Sequence, residues 1–152
     1  MDGTQSSELE ARRRWMAVLA RASAVEITDR LAALPAPPPH IRLRGPETGL
    51  VMVRGRAGGD GAPFNLGEMT VTRCAVRLAD GRIGHAYCAG RDSRQAELAA
   101  LLDAMLQGGT DRAHLESAVI SPLAEAQAAR RAAEARRAAA TRVQFFTMTQ
   151  MR

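Results

Sequence analysis

The sequence predicts an α+β fold: a mainly antiparallel four-stranded sheet with helices on one face, two helices before it and a long helix after it. Three observations carry that expectation. At His40 the apolar pattern changes from helical spacing to alternation. Asp80-Gly81 separates two β-rich runs and suits a tight hairpin turn. Asp92 then opens an apolar helical stretch that stops at Gly108-Gly109.

The first segment reads as two short helices within residues 7–34. Ser7 with Glu10 and Ser23 with Glu26 each have the spacing of a capping box. Trp15, Val18, Leu19 and Ala22 form one apolar stripe, and Ile27, Leu31 and Leu34 form the next. Arg12-Arg13-Arg14 reads as a solvated helix face. Pro35 and Pro37 to Pro39 end the helix and make a stiff, extended connector.

Strands are expected at 40–45, 49–56, 63–79 and 82–90, with a turn at Gly45-Pro46 and a bulge at Gly67. The glycine-rich loop from Gly55 to Pro63 lacks the phosphate-cradling GxxxxGK[ST] pattern, and the chain has no lysine, so it reads as a strand connection. A two-residue turn at Asp80-Gly81 pairs Ala79 with Arg82. That register puts Cys74, Val76, Leu78, Ile83, His85 and Tyr87 on the core face. Arg73, Ala75, Arg77, Gly84, Ala86 and Cys88 fall on the other, with the two cysteines apart and neither a disulfide nor a shared metal site expected.

Asp92 is expected to cap the next helix, with Gln95 reaching back to complete the box, and Leu98, Leu101, Leu102, Met105 and Leu106 form its apolar side. A short helix around 112–119 follows. Ser121-Pro122 then opens a last helix of almost pure Ala, Arg, Glu and Gln, which forms readily but buries little apolar area. The tail Val143, Phe145, Phe146 and Met148 is apolar, and either folds back on its own core or packs on another chain. One domain spans 1–152: a helical part at 7–34, a sheet-plus-helix core at 40–109, and a C-terminal helix and tail at 121–152.

All 21 basic residues are arginine, which reads as compositional bias before it reads as anion binding. Residues 121–152 hold six Arg against two acids, so +4 of the net +5 lies there. Aromatics make up 3%, so the core is aliphatic. No apolar run approaches a membrane span and no charged-then-apolar leader is present, so a cytoplasmic protein is expected. His85 and His114 stand alone, and neither a metal-ligand spacing nor a nucleophile-plus-base pattern accompanies them. No catalytic residue and no metal ligand is assigned. Arg73, Arg77 and Arg91 are candidate anion or partner contacts, set against a solvated sheet face. Arg130, Arg137, Val143, Phe145, Phe146 and Met148 are candidate partner contacts.

The segments Thr72-Arg-Cys-Ala-Val-Arg-Leu78, Asp80-Gly81, Gly90-Arg-Asp92 and Ala96-Glu97 resemble the PhnG family, small subunits of the bacterial carbon–phosphorus lyase core complex. Arg14 to Leu19, Glu47 to Leu50 and Thr141 to Met148 fit the same family, so the resemblance runs nearly end to end. It implies a non-autonomous subunit acting with PhnH, PhnI and PhnJ, and with PhnL, in phosphonate catabolism. In that step an alkylphosphonate such as methylphosphonate displaces adenine from MgATP to give alpha-D-ribose 1-alkylphosphonate 5-triphosphate. The resemblance places the nucleosidase chemistry on PhnI and leaves this chain a scaffolding or site-completing role, with MgATP a substrate of the complex and no cofactor of its own. Two positions depart from the family pattern: Gln95 stands where a histidine is common, and His85 where an aromatic is common. The alternative reading is a basic module binding nucleic acid or protein, disfavoured for nucleic acid by the lack of stacking aromatics on the sheet. Self-association of the isolated chain stays open.

Overall fold

A computed structural model describes residues 2–57, 61–108 and 111–143. Helices α1 (Asp2–Leu19) and α2 (Ala24–Leu31) precede strands β1 (His40–Gly55), β2 (Phe64–Leu78) and β3 (Ile83–Ala89). Helix α3 (Ser93–Leu106) follows, then α4 (Arg112–Leu115), a π-helical turn at Glu116–Ile120, and α5 (Ser121–Ala140). The sheet is antiparallel with order β1-β2-β3.

The described sheet has three strands, not the four expected. The segments 40–45 and 49–56 are one strand, because β2 is long enough to pair with both. Gly45-Pro46 is absorbed between register shifts at Arg42/Arg44 and Arg44/Glu47, so it kinks an edge strand where a turn was expected. A further shift lies opposite Asn65 and Gly67, leaving Leu66 as the bulged residue. The helical layout also differs. Helix α1 starts at Asp2 and runs through Ser7, since an interior serine costs only a few tenths of a kcal/mol. Ser121 is helical (φ −61°, ψ −49°) and caps nothing; the π-turn widens the helix just before Pro122 and lets it continue.

The hairpin register is one residue away from the expected one. Leu78 N–H donates to Arg82 C=O (2.9 Å) and Gly81 N–H to Leu78 C=O (3.0 Å), so the loop is Ala79-Asp80-Gly81. Gly81 has φ +91°, the left-handed conformation that a three-residue hairpin requires. Arg82 locks this turn. Its backbone N–H donates to Asp80, its guanidinium pairs with the same carboxylate at 2.6 Å, and it also donates to the C=O groups of Met105 and Gly108 at the end of α3.

A one-residue slip turns every side chain of a strand to the opposite face. Val76 therefore pairs with Gly84, Cys74 with Ala86 and Thr72 with Cys88. Gly84, Ala86 and Cys88 face the helices, and Ile83, His85 and Tyr87 are on the open face. Both cysteines lie on the helix side, buried and free. Burial pushes the Cys88 thiol up to about 11.

Helix α3 lies against the sheet with the other helices beyond it. It is buried on nearly every side, from Gln95 and Ala96 to Leu106, and not on one stripe alone. Asp92 caps it, accepting from Gln95 N–H at 2.9 Å. The Gln95 side chain does not reach back; it donates to the C=O groups of Ala20 and Ala22 and so holds the α1–α2 corner. At that corner the Ser23–Glu26 capping box is complete. Trp15, Leu19, Ile27, Leu102, Leu106 and Val119 fill the core.

Candidate docking surface and its buried support

On the open sheet face Arg73 lies beside Tyr87, Ala75 beside His85, and Arg77 beside Ile83. Arg73 shares Glu47 with Arg44, at 3.4 and 3.2 Å. Arg77 borders a shallow cleft with Pro39, His40 and Ile41. Four residues apart on one strand, the Cα atoms of Arg73 and Arg77 are roughly 13 Å apart, so they present separate contacts. Arg91 is exposed at the turn after β3, next to Gly90, whose N–H donates to Thr70 C=O. Arginine beside tyrosine and isoleucine on an uncovered sheet is a composition enriched at protein interfaces.

Helix α5 is held through its first half. Leu123 and Gln127 are buried, with Gln127 Nε2 donating to Val18 C=O at 2.9 Å. Beyond them Arg130 pairs with Glu26, while Arg131, Arg136 and Arg137 are exposed. Val143 is exposed too; Phe145, Phe146 and Met148 lie outside the described residues. The Arg130 hydrogen bond, helped by the Ser23 cap, holds the Glu26 carboxyl down at about 2. A depressed carboxylate contributes stability above its unfolded value of 4.5 and loses it as the pH falls toward about 2. Solvent screening at this partly exposed pair reduces the contribution to about 1 kcal/mol. Glu26→Gln is therefore expected to remove about that much stability at pH 7 and almost none at pH 2, read by urea unfolding at both pH values.

The residue that sequence reasoning missed is Asp103. Its carboxylate is fully buried and accepts from Arg12 Nε (3.1 Å) and Nη2 (2.7 Å), Trp15 Nε1 (2.9 Å), the His85 backbone N–H (2.9 Å) and Gln107 Nε2 (3.3 Å). Gln107 also donates to Ile83 C=O at 2.6 Å. These contacts satisfy outward-facing backbone groups on β3, an edge that would otherwise invite strand addition. They also fix α1 to α3, and Arg112 lies over the Trp15 ring at 5.0 Å. The available signal was an acid three residues before Leu106 and four after Ala99, on a helix otherwise apolar at those positions. A second missed group is Glu97, which takes a two-pronged contact from Arg42 (2.8 and 2.7 Å) and one from His40 (3.1 Å), with its carboxyl lowered first by Arg42. It anchors the start of β1 to α3.

Among the described residues no group of three or more His, Cys, Asp or Glu could hold a metal ion. What the fold presents is an arginine-bearing sheet face and a basic helix whose second half is exposed, on an α+β core. The family model for phosphonate metabolism protein PhnG matches residues 10–150. A relative from Rhizobium meliloti (strain 1021), alpha-D-ribose 1-methylphosphonate 5-triphosphate synthase subunit PhnG, is 47% identical over 155 residues, covering 97% of this chain and 96% of that protein. The chain belongs to the PhnG family.

Proposed function

We propose that this chain is a non-autonomous subunit of an alpha-D-ribose 1-methylphosphonate 5-triphosphate synthase in phosphonate catabolism. Near-complete alignment with a relative of that name carries the reading. The uncovered arginine-bearing sheet and the projecting α5 support a role in assembly. Its partners are the PhnH, PhnI and PhnJ core subunits, with PhnL, and the complex acts in the cytoplasm. No helix among the described residues is long and apolar enough to cross a membrane.

In the reaction of the complex, an oxygen of methylphosphonate or another alkylphosphonate bonds to the ribose C1 of MgATP and the bond from C1 to adenine breaks. This chain holds no cofactor and supplies no catalytic group; it scaffolds or completes the site. Incubating MgATP and methylphosphonate with the reconstituted subunits, and following adenine by chromatography, tests this. Omitting this chain should reduce adenine release by roughly tenfold or more, and the chain alone should release none. Release by the chain alone, or full activity without it, would overturn the reading.

A further inference from the structure

We draw no further inference here: the strongest candidate, the two-stranded apolar ribbon that β1 and β2 form beyond Leu50 and Thr70, with Leu50, Met52, Leu66 and Met69 exposed, carries nothing because nothing in the structure shows what covers it.

Discussion

Replacing Asp103 with alanine should lower the stability of the folded chain by about 3–5 kcal/mol, the cost of breaking a buried charged network by removing one partner. At the 2–4 °C per kcal/mol usual for a chain of this size, the melting temperature falls by roughly 10 °C. The carboxylate is fully enclosed and holds the Arg12 guanidinium, the Trp15 indole and the His85 backbone N–H at once. Truncation strands three donors belonging to α1 and β3, and both elements loosen from α3. Asp103→Asn keeps a carbonyl for one or two of these donors but leaves the Arg12 guanidinium without its counter-ion, so it should fall between alanine and the parent. Thermal unfolding by circular dichroism orders the three; a loss under about 1 kcal/mol for alanine would show that the network is not holding the layers together.

Gly84→Ala should be as damaging, and by a different route. A Cβ there would lie 1.9 Å from Ala100 O and 2.5 Å from Ala104 N. Both are backbone atoms of α3, so no side chain can swing aside, and the helix must lift from the sheet. The expected cost is at least about 3 kcal/mol, the upper part of the range for overpacking. Gly49→Ala is the informative comparison. Nothing lies within 4 Å of its added Cβ, so it should leave stability unchanged or raise it by up to about 1 kcal/mol. If Gly84→Ala melts with the parent, the close approach of α3 to β3 is not as described.

Gly84 also shows why the hairpin was half legible. Asp80-Gly81 correctly located the turn between β2 and β3. But the same dipeptide fits a two-residue loop or a three-residue loop with glycine in the left-handed region, and these differ by one residue in register. That residue decides whether Gly84 meets the helix or the open face, whether Tyr87 and His85 are core or surface, and whether Cys74 and Cys88 share a side. The deciding contacts come from Arg82 to the end of α3, more than 20 residues away. Gly45-Pro46 failed for a related reason. It is a turn signal locally, yet the continuous partner β2 holds the chain extended on both sides of it.

The local signals fared well where one short segment satisfied its own backbone. Ser23 with Glu26 and Asp92 with the Gln95 N–H close hydrogen bonds three residues apart, and no distant atom is needed to read them. Gln95 shows where that stops, because its amide leaves the cap and binds C=O groups more than 70 residues earlier. The candidate site divides the same way. The arginine positions and the basic α5 were visible, while the exposed apolar ribbon could not be, since alternation in 50–55 and 64–69 looks the same whether a third strand covers it or not.

Residue order alone therefore settled the mixed helix–sheet composition, the caps at Ser23 and Asp92, the place of the hairpin and the family. Folding in three dimensions settled strand number, register, the Asp103 network and the bare ribbon. Caps and turns are decided by energies between neighbours in the chain, whereas register and coverage depend on which remote surface wins the competition to bury them.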